Sequence, residues 1–371
     1  MIDISTFVGA VKPKDRTDQY VILAAMFALG AAETPTTAKD IRDLLKLHQI
    51  EPANISASLR KYTAYVAPKQ KGPPLLWGLT EKGVEHLRSL SGLTLVTAAD
   101  ADRFESDVGI VCALEYPELA AVQVALGGAA AWKEVGDTRH AHIYRETTMA
   151  TVGGKTLRVV ATTSTSMGLT AAAIATTQLV LQFRPRLVAM IGIAAGTHTK
   201  DKHFGDVLVA DPSVDYNSGK VVFANGVRDF QPDPYPLSLN PRLRMVLQKY
   251  RSTHPIFVEI RKRWHDAAPD GPNRLHVGPV GAADQVIDDA SRVLEILKNW
   301  RKLIGVEMET YGVYRAVHES PEPRPRAVSF KAVCDFAAEK LDSWQEFAAF
   351  VAAEFAVAFF KTEWAALWPT K

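Results

Sequence analysis

Seven short stretches of this 371-residue chain gather polar, acidic and small residues after or beside apolar runs. They are Cys112-Ala113-Leu114-Glu115, Thr165-Ser166-Met167-Gly168, Gly192-Ile193-Ala194-Ala195-Gly196, Gly205-Asp206 with Asp211 beyond it, Gly281-Ala282-Ala283-Asp284-Gln285-Val286-Ile287, Glu307-Met308-Glu309-Thr310-Tyr311, and Cys334-Asp335-Phe336-Ala337. Carboxylates and hydroxyls are the groups that take and give protons and grip ligand hydroxyls. The small residues among them let a ligand approach the backbone. The two cysteines, Cys112 and Cys334, have no metal-ligand spacing and are too few for a disulfide framework. His140 and His142 stand two apart, which on a strand would face both the same way as a ligand pair; an ordinary solvated strand explains them as well, and no metal or other cofactor is expected.

The apolar runs that precede these stretches read as strands: Val108–Ala113, Leu157–Thr162, Leu187–Ile193, Gly205–Ala210, Leu275–Val280, Leu303–Glu307 and Arg326–Cys334. Several are almost continuously apolar, as strands covered on both faces must be. Helical patterns lie between them, at Pro117–Leu126, Leu169–Phe183, Ser291–Asn299, Met308–His318 and Ser343–Phe360. Alternation of this kind predicts an α/β domain over residues 107–371. Open α/β sheets bind ligands at the carboxyl ends of their strands, which is where six of the stretches fall, Gly205-Asp206 lying instead at the start of its strand with Asp211 at its end.

Residues 15–93 have a different texture. Helical patterns cover Gln19–Ala31, Ala38–Leu47 (with Thr37 as N-cap) and Ile55–Val66, followed by the Lys/Gly/Pro-rich turn Pro68–Pro74, the apolar strand Leu75–Leu79 and a last helix from Thr80. Three short helices, a β wing and a closing helix make a small winged helix-turn-helix domain, and Leu79-Thr80-Glu81-Lys82-Gly83 resembles the wing-to-helix junction of that superfamily. Between Pro52 and Thr80 there is no Asp or Glu, while Arg60, Lys61, Lys69 and Lys71 are present. Such a face can track DNA phosphates; docking to a protein partner is the other use of the module. Residues 94–106 read as a linker.

Composition narrows the classes. Hydrophobic content of 47% and charged content of 23% suit a globular protein, and a net charge of +2 gives no bulk argument for nucleic acid or membrane. The start, Met-Ile-Asp-Ile, lacks a basic leader, and the apolar run Tyr20–Ala32 falls short of the roughly 20 residues that span a bilayer. A cytoplasmic protein without a membrane partner is expected.

Taken together and in order, Val-Gly-Ile-Val-Cys-Ala-Leu-Glu, Ile-Gly-Ile-Ala-Ala-Gly, Phe-Gly-Asp-Val-Leu-Val-Ala-Asp, Gly-Val-Glu-Met-Glu-Thr and Lys-Ala-Val-Cys-Asp resemble the purine nucleoside phosphorylase/uridine phosphorylase superfamily, most of all its methylthioadenosine/S-adenosylhomocysteine nucleosidase branch, over roughly Val108 to Phe359. The resemblance implies a three-layer α/β domain with a mixed central sheet, a homo-oligomer, and cleavage of a purine N-glycosidic bond, adenine type favoured, through an oxocarbenium-like sugar. It implies Asp335 as donor of a proton to the leaving base, Glu309 as holder of the ribose hydroxyls, Met308 beneath the ribose, and Glu307 as a more structural acid. Thr165, Ser166 and Gly168 match contacts to the attacking phosphate or water, with backbone donors near Thr170 adding to them. Ala195 and Gly196 match the small turn beside the ligand, and Val286 and Ile287 the segment facing the base, where the family often has an aromatic residue. Cys334 stands where a hydroxyl residue is common. Each set also has a plain structural reading, as helix caps or first-turn acids.

Phosphorylases of the superfamily hold phosphate with an arginine near the first strand, whereas Gly109 to Glu118 has no Arg or Lys and carries Glu115 and Glu118. An acid there suits activation of water, so hydrolysis is favoured, with Glu115 taken as the base; phosphate-dependent cleavage is the alternative. The segment Asn225 to Asn273 is long for a compact nucleosidase and carries Arg228, Arg242, Arg244, Arg251 and Arg261-Lys262-Arg263. It is either a solvated or oligomer-forming basic face, or a grip for a 5′-polyphosphate. In the second case the substrate is a nucleotide, as in phosphorylase-like anti-phage effectors that deplete nucleotides. A last alternative is a DNA-binding regulator whose nucleosidase-like domain senses a nucleoside.

Overall fold

The buried apolar runs of the chain become the central strands of one large sheet. The computed structural model describes residues 4–13, 16–51, 54–70, 72–91, 103–136, 141–197, 202–224, 226–233, 235–251, 254–336 and 342–368. The chain divides into two units, Met1–Arg103 and Phe104–Lys371.

The first unit contains helices α1 (Ile4–Ala10), α2 (Asp18–Ala28), α3 (Ala38–Leu47), α4 (Ile55–Lys61) and α5 (Glu81–Ser91), and strands β1 (Thr36–Thr37), β2 (Val66–Pro68) and β3 (Leu76–Leu79) in the order β1-β3-β2. Thr37 caps α3 in a reciprocal box: its hydroxyl accepts from the Asp40 N–H and the Asp40 carboxylate accepts from the Thr37 N–H, both at 3.1 Å. Asn54 caps α4, its side-chain oxygen accepting from the Ala57 N–H. The helix expected to run to Val66 stops at Lys61, because Val66 is needed as the first ladder residue opposite Leu79. Arg60 and Lys61 sit in the last turn of α4. Arg60, Lys61 and Lys69 are exposed; Lys71 and residues 94–102 of the expected linker lie outside the described residues.

The second unit holds β4 (Ser106–Cys112), α6 (Ala120–Ala125), β5 (Lys133–Val135), β6 (Tyr144–Ala150), β7 (Thr156–Thr163), α7 (Leu169–Phe183), β8 (Pro185–Gly196), β9 (Val207–Asp215), β10 (Gly219–Ala224), β11 (Val227–Pro232), α8 (Pro241–Leu247), α9 (Pro255–Lys262), β12 (Leu275–Ala282), α10 (Ala290–Asn299), β13 (Gly305–Glu307), α11 (Thr310–His318), β14 (Arg326–Asp335) and α12 (Gln345–Leu367). Nine strands form a mixed sheet in the order β13-β12-β9-β14-β8-β4-β7-β6-β5. β14, β8, β4 and β7 run parallel, and β9 is antiparallel to β14. β13 also pairs antiparallel with β8, Gly305 opposite Gly196 and Val306 opposite Ala195. The strands β13, β12, β9, β14 and β8 thereby close on themselves, and the ends of β8, β13 and β14 are drawn around one space.

Helices cover both faces. Val111, Leu179, Val188, Met190, Val313 and Val317 pack α7 and α11 on one side. On the other lies α12, apolar nearly all round, as a helix buried in a core must be. Phe330 of β14 meets Phe355 and Phe359 of α12 with ring centroids 5.6 and 5.5 Å apart. Each buried ring of this kind contributes about 1.5–3 kcal/mol. This helix packs on the sheet, and its charged interruption Glu354 pairs with Arg263 at 3.0 Å. Among the described residues no helix is long and apolar enough to cross a membrane.

Candidate functional site

The stretch after β4 departs from a regular helix, and that departure builds the site. In place of a helix from Pro117 there is one wide turn, Glu115–Leu119, in which the Leu119 N–H reaches back five residues to the Leu114 carbonyl at 3.1 Å. Such a turn carries one residue more than an α-helical one and rotates the chain beyond it. Glu115 consequently points away. Its side chain is 57% exposed, it pairs with Arg145 at 2.7 Å, and it does not line the cavity. Glu115, expected as the water-activating base, therefore does not line the cavity; the acid this turn delivers there is Glu118, 1% exposed.

Glu118 is held by three backbone donors. Its Oε2 accepts from the N–H groups of Ala113 and Leu114 at 2.7 and 3.0 Å, and its Oε1 from that of Ile193 at 2.9 Å. β14 adds a cation from the middle of an apolar strand. Lys331, 2% exposed, places its Nζ 3.0 Å from Glu309 Oε2, 3.6 Å from Glu118 Oε1 and 3.7 Å from Glu307 Oε2. Glu307 is tied further to the N–H groups of Glu309 and Thr310 at the start of α11, where a carboxylate meets the positive end of the helix. Three buried carboxylates thus share one buried ammonium.

The charges shape one another. Burial pushes the Glu118 carboxyl up, Lys331 pulls it back and Glu309 pushes it up again; the net direction is upward. Glu307 is raised by the same balance. Burial alone would lower the Lys331 ammonium, but Glu118, Glu309 and Glu307 outweigh it and hold the proton firmly. Cys334 also faces the cavity, its thiol pushed up by burial and then by Asp335, whose Oδ2 lies 3.5 Å from the sulfur.

Of the residues expected at the site, Asp335, Glu309, Glu307, Met308, Ala195, Val286, Ile287 and Cys334 line a single cavity. Thr165 and Ser166 do not: both are exposed on the turn before α7. Gly168 is buried and contributes its backbone, the N–H donating to Glu309 Oε1 at 3.2 Å. Its φ of 117° and the Asp284 carboxylate, which fills the place a Cβ would take, leave room only for glycine. Gly196 belongs to the β8–β13 pairing and does not line the cavity. The start of α7, expected to offer donors to phosphate or water, is already occupied by acids: the Leu169 N–H donates to Asp284 Oδ1 and the Gly168 N–H to Glu309. His142 approaches the Thr163 carbonyl, and its expected companion His140 lies outside the described residues.

Sequence reasoning missed Lys331 and gave no role to Asp284, Gln285 and Leu114, although all three lie in the stretches it singled out. Lys331 left a signal, a lone cation inside the run Ala327–Cys334. The arginine-rich segment does not converge on the cavity. Arg242 donates to the Ala366 carbonyl, Arg244 pairs with Asp211, Arg251 donates to the Val277 carbonyl, Arg261 binds Asn273, Lys262 pairs with Glu259 and Arg263 with Glu354. These contacts tie the segment to its neighbours, while Arg228 lines a second cavity.

Comparison with known proteins agrees with this geometry. Residues 107–361 match the phosphorylase superfamily. An uncharacterized protein of Sinorhizobium fredii is 30% identical over 256 residues, 69% of this chain and 61% of that protein. The ATP nucleosidase Cap17 of Escherichia coli is 27% identical over 213 residues, 54% of this chain and 40% of Cap17. This chain therefore spans less than two thirds of either curated relative. The solved 5′-methylthioadenosine/S-adenosylhomocysteine nucleosidase of S. pneumoniae, with a transition-state inhibitor, shares the fold at a TM-score of 0.53, 19% identity, and coverage of 69% of this chain and 99% of that one. The match across most of the chain, on the sheet and cavity described, makes this protein a member of the phosphorylase superfamily.

Proposed function

We propose that the second unit hydrolyses the N-glycosidic bond of a purine nucleoside or nucleotide, adenine type. The observation that carries this reading is the buried group Glu118, Glu307, Glu309 and Lys331, opening on the same cavity as Asp335. A sugar that becomes cationic as its bond to the base breaks is stabilised by carboxylates already fixed in place. In this reading Glu118 takes a proton from the attacking water, Glu309 holds the ribose hydroxyls, Met308 lies beneath the sugar, and Asp335 protonates the departing base. Val286 and Ile287 face the base. Lys331 offsets the repulsion among the three carboxylates and orients them. Water is favoured over phosphate as nucleophile because two donors at the start of α7, the N–H groups of Gly168 and Leu169, are taken by Glu309 and Asp284, and a dianion beside three carboxylates is repelled.

Likeness to an ATP nucleosidase supports a nucleotide as substrate; nucleotide depletion in the cytoplasm, as an anti-phage defence, is the purpose we propose. Base release from ATP, AMP, adenosine and methylthioadenosine, monitored by chromatography with and without phosphate, tests the whole reading. Phosphate-independent release that disappears in Asp335→Asn supports it. Release that requires phosphate sinks the hydrolytic assignment, and release from the last two compounds alone sinks the nucleotide.

A second reading is favoured by the exposed cations Arg60, Lys61 and Lys69 of the first unit: a DNA-binding regulator that senses a nucleoside. It requires tight nucleoside binding without turnover, which the same panel and calorimetry together distinguish.

A further inference from the structure

Beside the catalytic cavity lies a second, larger one of about 690 Å³, between the β10–β11 hairpin and α10. Its size is that of a pocket for a small molecule, typically about 300–1,000 Å³. Gln285 lines both cavities. Three cations line the second one, Arg228, Arg292 and Lys298, against two acids, Asp229 and Glu295. Glu295 is engaged by Arg292 at 3.1 Å, whereas Arg228 and Lys298 have no ion-pair partner among the described residues.

Two lining residues carry donors that the protein leaves unused. The hydroxyl of Tyr216, a residue 2% exposed, and the indole N–H of Trp300 are buried without a hydrogen-bond partner among the described residues. A buried donor without an acceptor costs about 1–3 kcal/mol, so a ligand rich in acceptors is what such a cavity suits. Burial pushes the Tyr216 hydroxyl up to about 12, the nearby Arg292 lowering it in part, so it remains a donor at neutral pH. Buried donors together with unpaired cations match phosphate oxygens. The cavity is also coupled to the catalytic one: Arg292 donates to Asn217 at 3.0 Å and to Gln285 at 3.4 Å, and Gln285 directly precedes the base-facing Val286 and Ile287.

We propose that this cavity binds a phosphate-bearing group through Arg228, Lys298, Tyr216 and Trp300, and that its occupancy is felt at Val286 and Ile287 through Gln285. The phosphates belong either to the substrate's own 5′ chain, which rests on the nucleotide-cleaving reading above, or to a separate phosphorylated effector, which does not.

Calorimetry of the full chain with inorganic tripolyphosphate, which has neither base nor sugar, tests the site. Wild type and Asp335→Asn should bind it alike. Arg228→Ala/Lys298→Ala should bind at least about tenfold more weakly, and Tyr216→Phe several-fold more weakly, in line with one lost hydrogen bond. No binding by wild type, or equal binding by the double variant, overturns the proposal. Kinetics then separate the sources. A KM that rises for ATP but not adenosine in the double variant assigns the phosphates to the substrate. A change in adenosine cleavage on adding tripolyphosphate assigns them to an effector. If no nucleoside is cleaved at all, the calorimetry still decides the site, so its failure and that of the proposed reaction are read separately.

Discussion

The carboxylate of Glu118 occupies the space in which residue 192 would place a side chain: a Cβ on Gly192 would overlap Glu118 Oε1. The bare backbone of β8 is thus what lets an acid from the turn after β4 reach the cavity and accept from the Ile193 N–H at 2.9 Å. Gly192→Ala should expel the Glu118 side chain more than it disturbs the sheet. We expect a stability loss of about 1–3 kcal/mol from overpacking with a loss of cleavage as large as that of Glu118→Gln. Thermal melting beside base-release kinetics checks this; near-normal turnover in a folded Gly192→Ala protein would detach Glu118 from the chemistry.

The two glutamates of the turn should separate cleanly. Glu118→Gln keeps the size of the side chain and removes the base, and should lower kcat about 10²–10⁴-fold. Glu115→Gln breaks an exposed pair with Arg145, worth about 0–1 kcal/mol, and should leave kcat near wild type. The reverse pattern would return the role to Glu115.

The pH profile should carry the mark of burial. Glu118 is pushed up by burial, with Lys331 only partly reversing it. A base works ionised, so kcat/KM should fall as pH drops through that raised value, an acid limb lying above the ordinary glutamate value of about 4.3. Lys331→Met removes the cation that favours ionisation and should move the limb to still higher pH, while Lys331→Arg should restore much of its position. Identical acid limbs in wild type and Lys331→Met would reduce Lys331 to a packing role.

Phosphate should not accelerate base release. The N–H groups of Gly168 and Leu169 are satisfied by Glu309 and Asp284, so exchanging the buffer for phosphate is expected to leave the rate unchanged; a rate that rises with phosphate and saturates would mean that these acids yield their place.

For the first unit, a gel shift with genomic DNA at low salt should be lost at moderate salt and again in Arg60→Ala/Lys61→Ala, since phosphate contacts weaken steeply with salt. No shift at low salt would favour a protein partner.

The sequence by itself determined the alternation of strands and helices, the ends at which polar residues gather, and the candidates Asp335, Glu309, Met308, Val286 and Ile287. These are legible because burial writes an apolar run into each central strand and leaves its chemistry in the next few residues. Only the tertiary structure shows that Glu118 and not Glu115 faces the cavity, because one wide turn sets which of them points inward and local pattern does not record that rotation. It alone also showed that Lys331 is shared by acids from two distant stretches, the turn after β4 and the junction Glu307-Met308-Glu309, and that Arg242, Arg244, Arg251, Arg261 and Arg263 hold the long segment to its neighbours. Charges buried together are chosen by distance across the fold, and spacing along the chain says nothing of that distance until β8, β13 and β14 have closed around one cavity.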